Sequence, residues 1–177
     1  MFGNKANGCL TFYYNSEELF NDVGLLSAYM TKNLVSDAGS TSDEYNITED
    51  ERDVYNICVK QAMPIIYENL VKLTSHIDDA FSEVIINGGE NDGLNREAGT
   101  YVEFNLKDNG AYNKNVRTLI DATLYDCIKY GVLNEFYSIC VNADLFRIAS
   151  DKFTASLYNL NKRLFQLKKR SVASQIA

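Results

Sequence analysis

The sequence contains few of the residues that build metal and catalytic sites. Its 177 residues include one histidine, one proline, four cysteines and no tryptophan. The histidine, His76, has no cysteine near it in the sequence, and no two cysteines are spaced as Cys-x-x-Cys. Zinc sites of the common spacings are therefore excluded. Because three of the cysteines fall on predicted apolar helix faces, we expect them to pack as small hydrophobic side chains in a reducing compartment.

Long apolar runs are absent as well. No stretch approaches the roughly 18 consecutive apolar residues that cross a bilayer. The N-terminus begins Met1-Phe2-Gly3-Asn4-Lys5 and lacks the apolar run of a signal peptide. We therefore expect no membrane span and no secretion signal, whereas the hydrophobic content of 46% allows a folded core.

No segment matches a nucleotide-binding or calcium-binding motif. The phosphate-binding string Gly-x-x-x-x-Gly-Lys-Ser/Thr does not occur. The glycine-rich segment 87–93 fails as an EF-hand loop because Gly88 stands where the first ligand belongs. A weak cation site at Glu90 and Asp92 stays open, but we interpret these residues as solvated loop charges.

Neighbouring acidic residues are the remaining candidates for acid–base chemistry. Asp78 and Asp79 follow closely after His76, so on a helix these side chains do not face the imidazole. Asp121 and Asp126 are interpreted as charges on a solvated helix surface rather than as a catalytic pair. The sequence therefore predicts no catalytic residue, no metal and no cofactor, and a protein that is not an enzyme.

The charged residues are unevenly distributed along the chain. The chain has 17 Lys and Arg against 24 Asp and Glu, a net charge of −7. Residues 1–144 hold 10 of the basic residues and 23 of the acids, whereas residues 145–177 hold 7 basic residues and one acid, Asp151. We therefore divide the chain into an acidic helical body with a hairpin insertion, 1–144, and a basic C-terminal helical arm, 145–177.

Apolar side chains recur at helical spacing in the first third of the chain. Asn15 with Glu18, and later Thr48 with Glu51, have the spacing of helix capping boxes. The first box predicts a helix at about 16–34. The second box predicts the start of the longest apolar stripe in the chain.

That stripe runs from Val54 to Phe81 in steps of three and four residues. It predicts one apolar helix face of about 40 Å at 1.5 Å per residue. Pro64 lies inside the stripe, and because proline removes one backbone hydrogen bond we expect a kink or a break near 60–64.

Three helices are predicted in the C-terminal part of the chain. An apolar face from Val116 to Ile128 predicts a helix that ends at Gly131. Residues 132–141 predict a further short helix. Asn142 then caps a last helix of about 28 residues, which is long for a small domain.

Two extended segments interrupt the helical pattern. Residues 83–86 and 100–106 predict the strands of a β-hairpin, and its long tip contains Glu90, Asn91 and Asp92. A single disordered loop between helices is the alternative. Because an isolated hairpin is marginal in water, this one has to lie on the helices or pair with a neighbouring subunit.

These segments predict a mainly α fold. We expect a helical bundle with a long kinked helix, a β-hairpin or long loop insertion at about 84–106, and a long C-terminal helical arm. Residues 9–14 predict either a short strand or an ordered arm that lies on a neighbour.

The C-terminal arm combines an apolar face with a positive edge. The net charge of −7 opposes free binding to nucleic acid, so we interpret the arm as a helix that docks on acidic surface of another copy or of a partner protein. A plain solvated helix end is the alternative. Leucines are expected to supply affinity and cations to steer the approach. The predicted interface residues are Leu157, Leu160, Arg163, Leu164, Leu167, Lys168, Lys169 and Arg170.

The layout of these segments resembles the head–tail connector proteins, or portal adaptors, of tailed bacteriophages. The resemblance is carried by Thr48-Glu-Asp-Glu51 at the start of the long stripe, by the predicted hairpin, and by Tyr125-Asp-Cys-Ile-Lys-Tyr130 leading to Leu160-Asn-Lys-Arg163. It covers residues 48–170 at the level of layout. The N-terminal region exceeds that of the simplest family members, which leaves the role of residues 1–47 open.

The resemblance implies assembly rather than catalysis. It implies a homo-oligomeric ring that joins the portal to the tail within the virion, with DNA passing through the channel and no sequence-specific binding. Portal and tail proteins are then the partners, and no membrane is involved. The competing hypothesis is a helical protein-binding module, or a regulator, whose basic arm docks an acidic partner.

Overall fold

A computed structural model describes most of the chain, and helices dominate it. The described residues are 2–4, 9–32, 45–74, 81–88, 100–107 and 114–174. The elements are β1 (Phe2–Asn4), β2 (Cys9–Asn15), α1 (Ser16–Lys32), a 3₁₀ turn (Glu49–Glu51), α2 (Arg52–Thr74), β3 (Phe81–Gly88), β4 (Tyr101–Lys107), α3 (Lys114–Ile139) and α4 (Ala143–Ser174). The predicted mainly α fold with a β-hairpin insertion is confirmed.

The predicted helix caps position three of the helix starts. The side chain of Asn15 accepts hydrogen bonds from the backbone N–H groups of Glu17 and Glu18, at 2.9 and 3.1 Å. Glu51 Oε2 accepts the Thr48 N–H at 3.1 Å before α2. Asn142 Oδ1 accepts the Leu145 N–H at 3.0 Å and so caps α4. Each bond satisfies a backbone donor that has no partner inside its helix.

Two helix boundaries predicted from the sequence are wrong. The helix α2 passes through Pro64 without a break and ends at Thr74, so Phe81 begins β3 instead of closing the apolar stripe. The helix α3 continues through Gly131 to Ile139, so the two helices predicted there are one. A Cβ on Gly131 would lie 3.1 Å from Phe153 Cε2, so this glycine permits close packing inside a helix and does not end it.

The hairpin is part of a larger antiparallel sheet. The four strands lie in the order β1-β2-β4-β3, so β4 pairs with β3 on one side and with β2 on the other. Phe104 on β4 lies opposite Val84 on β3 and opposite Phe12 on β2. The hairpin is therefore stabilised by a strand of its own chain, and the strand alternative for the N-terminal segment holds for Cys9–Asn15.

One face of the sheet and the inner faces of the helices form a common core. Phe12, Val102 and Phe104 of the sheet are buried in the same cluster as Leu124 and Cys127 of α3. The helix α4 packs along α3 and adds a buried stripe to this cluster. The residues of that stripe are Leu145, Ala149, Phe153, Leu160 and Leu164.

None of the helices in the described part of the chain is both long and apolar enough to cross a membrane.

Candidate interaction surfaces

The leucines of the predicted docking face lie in the core of the chain itself. Leu160 is 0% exposed, Leu164 is buried, and the partly buried Leu157 packs against the same core. Their burial therefore needs no partner protein. Leu167 and the basic run 168–170 belong to α4, but their side chains lie outside the described part of the structure.

Arg163 ties α4 to α3 through a charge-assisted hydrogen bond. Its Nη1 donates to the backbone oxygen of Leu119 at 2.6 Å. The same oxygen accepts the Thr123 hydroxyl at 2.8 Å. Because the side chain of Arg163 lies across α3, its position is fixed by the fold, and its charge lies beside the N-terminal third of α3.

An acidic patch lies where the N-terminal ends of α1 and α2 meet. Arg52 joins the two ends, because its Nη1 lies 2.8 Å from Glu17 Oε1 and its Nε lies 2.6 Å from Glu49 Oε1. Hydrogen bonding to Arg52 lowers the pKa of Glu49, and the two carboxylates raise the pKa of Arg52. The exposed acids of this patch are Glu17, Glu18, Asp22, Glu49, Asp50 and Asp53.

The turn between α3 and α4 exposes apolar side chains. We call residues 139–146 the corner. Within it Ile139 is 49% exposed, Val141 is 88% exposed and Phe146 is 38% exposed. An open cleft of about 220 Å³ at the corner is lined by Tyr137, Ser138, Val141, Asn142, Ala143 and Phe146.

Val141 has an unusual backbone conformation for its residue type. Its φ angle is 55°, in the left-handed region. A β-branched residue is strained there, whereas glycine or asparagine is not. The sequence gives no sign of this conformation, because valine is not a residue that marks a left-handed turn.

The second face of the sheet is polar and also buried. Thr11 Oγ1 donates to Asn105 Oδ1 at 2.7 Å across β2 and β4. Glu103 is buried beside them on β4, and Tyr13 and Tyr101 meet edge to face with their ring centroids 5.8 Å apart. The alternation of polar residues along 101–107 was visible in the sequence, but their burial was not.

The cysteines and acids that were considered for chemistry have structural surroundings. Burial raises the pKa of the Cys58 and Cys127 thiols to about 12, so both are neutral thiols near neutral pH and pack in the core as predicted. Asp126 Oδ1 lies 3.2 Å from Lys129 Nζ on the surface of α3. The backbone oxygen of Asp121 accepts the Tyr14 hydroxyl at 3.0 Å.

Among the residues that the structure describes, no group of three or more His, Cys, Asp or Glu side chains could hold a metal ion. Two segments that the sequence analysis considered lie outside the described residues. One is the hairpin tip with Glu90, Asn91 and Asp92, and the other is His76 with the acids that follow it.

Comparison of the chain with protein-family models, curated proteins and solved structures finds no match.

Proposed function

We propose that this protein is a non-enzymatic structural subunit that assembles with copies of itself into a ring. The observation that carries this proposal is the separation of charge on the fold. The exposed acidic patch gathers at the N-terminal ends of α1 and α2, whereas α4 contains no acid after Asp151.

Opposite charges at different places on one molecule favour contact between unlike surfaces of two copies. Such a contact is heterologous, and it closes into a ring when the rotation between neighbours allows closure. Complementary charge also accelerates encounter and suppresses contacts between like-charged surfaces. Residues 1–144 carry a net −13 and residues 145–177 a net +6, so both partners of the contact are present in one chain.

The proposed assembly is the head–tail connector of a tailed bacteriophage. Its support is the layout: a compact helical body, a β-hairpin whose strands are β3 and β4, and a C-terminal helix of 32 residues. At 1.5 Å per residue that helix is about 48 Å long, and because Leu145 to Leu164 pack within the chain, its C-terminal end is the part that would contact a neighbouring subunit or a portal protein. In this proposal the ring lies in the virion between portal and tail, and an acidic channel wall lets DNA pass without binding.

Light scattering coupled to size-exclusion chromatography tests this function. The purified chain, alone or, where a portal gene lies beside its own, mixed with that portal protein, is expected to give an oligomeric mass that falls as salt screens the charge contact. A monomeric mass in both experiments at every concentration would overturn the proposal. So would a gene that lies among metabolic genes, far from portal and capsid genes.

The second candidate is a helical module that binds an acidic partner protein through its basic arm. It is favoured by the burial of Leu160 and Leu164 within the chain's own core, because α4 is then packed without any assembly. This candidate predicts a monomer that retains a salt-sensitive complex with an acidic protein. The mass of the free chain, taken together with the mass of its mixture with portal protein, separates the two functions.

A further inference from the structure

The corner is an apolar surface that the fold itself does not cover. Ile139, Val141 and Phe146 expose their side chains within eight residues of one another, and Val141 and Phe146 also line an open cleft. Single exposed apolar residues are common on protein surfaces, whereas a group of them beside a cleft is typical of a contact site.

The backbone at Val141 gives an independent reason to assign a contact there. Its φ of 55° is strained for valine, and the side chain is too exposed to regain that cost by packing within the chain. Glycine or asparagine would form the same turn without the strain. Burial of the valine side chain in a contact with another molecule would offset the strain of its backbone.

Acidic side chains border the corner and indicate the charge of what binds there. Glu135 precedes the corner on α3, and Asp144 lies in the first turn of α4. Glu51 is close enough that its negative charge adds to burial in raising the pKa of Cys140. Residues 134–148 hold the first two of these acids and one cation, Arg147, and with Glu51 the acids near the corner outnumber that cation by three to one. The fitting partner is a segment with apolar side chains and positive charge.

We infer that the corner of one copy binds the basic end of α4, residues 162–170, from a second copy. This segment contains five cations and no acid, and it continues past Leu164, which is buried in the core of its own chain, to Phe165 and Leu167. Its cations match the acidic border of the corner, and the match of charge is what favours this segment as the occupant. This inference rests on the proposed self-assembly and names the contact that makes it.

The contact has to form between two copies and not within one. The corner begins α4, and residue 170 lies 27 residues further along the same helix, about 40 Å away at 1.5 Å per residue. A straight helix cannot bring its own two ends together. A head-to-tail series of such contacts gives the heterologous geometry that rings require, whereas a reciprocal pair of them would give a closed dimer.

Two double variants separate the two halves of the contact. Val141→Asn with Phe146→Ser removes the apolar corner, and asparagine keeps the turn because it tolerates a positive φ. Lys168→Glu with Lys169→Glu reverses charge at the basic end. By sedimentation velocity, each variant is expected to weaken self-association by about tenfold or more. Leu25→Ser is the matched control, because Leu25 is 72% exposed on α1 and belongs to neither half of the contact.

Mixing the two variants gives the decisive measurement. The corner variant keeps its basic end and the basic-end variant keeps its corner, so an equimolar mixture should form a dimer and stop there. A mixture that stays monomeric, or a corner variant that assembles as well as the wild type, overturns the inference but leaves self-assembly standing. A wild-type chain that is monomeric alone also overturns it, whereas the connector function is then judged from the mixture with portal protein.

Discussion

The middle of the α3–α4 pair and its corner differ in how completely the fold accounts for their residues. In the middle, the Gly131 backbone lies against Phe153, and Leu160 is fully buried. At the corner, Val141 is exposed and strained within one turn of the same two helices. The comparison indicates that packing within one chain determines the middle, whereas it does not account for the exposed apolar side chains and the strained valine of the corner.

Replacing Leu160 by alanine should have the largest effect. Leu160 is 0% exposed, so the change leaves a cavity between α3 and α4 and should lower the free energy of unfolding by about 3 kcal/mol. Tyr158→Ala, two residues away on the exposed face, should change it by less than about 0.5 kcal/mol. Urea unfolding followed by circular dichroism measures both.

The outcome also tests the docking interpretation of the leucine stripe. An unchanged unfolding midpoint in Leu160→Ala, together with weaker self-association, would mean that this leucine serves a partner and not the core. The middle of the pair would then also serve a contact with another molecule, and the distinction between the middle and the corner would be lost.

Replacing Gly131 by valine should destabilise the protein by about 2 kcal/mol through overpacking. Even a Cβ at this position would lie 3.1 Å from Phe153 Cε2 and 3.3 Å from Ala62 Cβ, and valine adds two methyl groups. Ala122→Val, on the exposed face of the same helix, is the matched control. Equal midpoints for the two variants in thermal unfolding would contradict the prediction, because they would mean that the helices around Gly131 can move apart without loss of stability.

Gly131 shows how far the sequence predicts this fold. Local patterns predicted the caps at Asn15 and Asn142, the helix α1 and the hairpin, because each depends on residues that are close in sequence. A glycine in a helical pattern predicts a helix end. Here the glycine is needed because Phe153, on another helix, packs too close to leave room for a side chain. Such a packing requirement has no local signature.

For the candidate surfaces, only the uneven distribution of charge could be predicted from the sequence. The uneven charge distribution is visible in the sequence, whereas the way Arg52 joins Glu17 and Glu49 depends on α1 and α2 meeting in space. The sheet was missed for the same reason, since β2 and β4 are separated by more than 80 residues. Nothing local marks Val141 as left-handed, so the corner was not predictable at all.

Alkaline pH should destabilise the core through two buried thiols, Cys127 on α3 and Cys58 on α2. Burial raises the pKa of Cys58 and Cys127 from 9.0 to about 12, so the folded state keeps thiols protonated that the unfolded state ionises. The thiols do not lower the free energy of unfolding below pH 9, and they lower it progressively as the pH rises from 9 toward 12. The expected slope is about 1.4 kcal/mol per pH unit for each thiol.

Urea unfolding between pH 8 and pH 11 measures this slope. Cys127→Ala should reduce it, because one of the two ionising thiols is gone. Cys140→Ala at the corner is the comparison variant, and since Cys140 is only half-buried we expect a smaller reduction. An equal reduction by both variants would remove the distinction between the two regions.

The smallest predicted effect concerns the cap within the corner. Asn142 Oδ1 accepts the Leu145 N–H at 3.0 Å, so Asn142→Ala should cost about 1 kcal/mol in urea unfolding, while Asn142→Asp keeps an acceptor and should cost less. Because the cap holds the first turn of α4 in place behind Val141, the alanine variant should also weaken self-association. A loss of stability with unchanged association would show that the cap serves the fold alone and that the exposed corner does not depend on it.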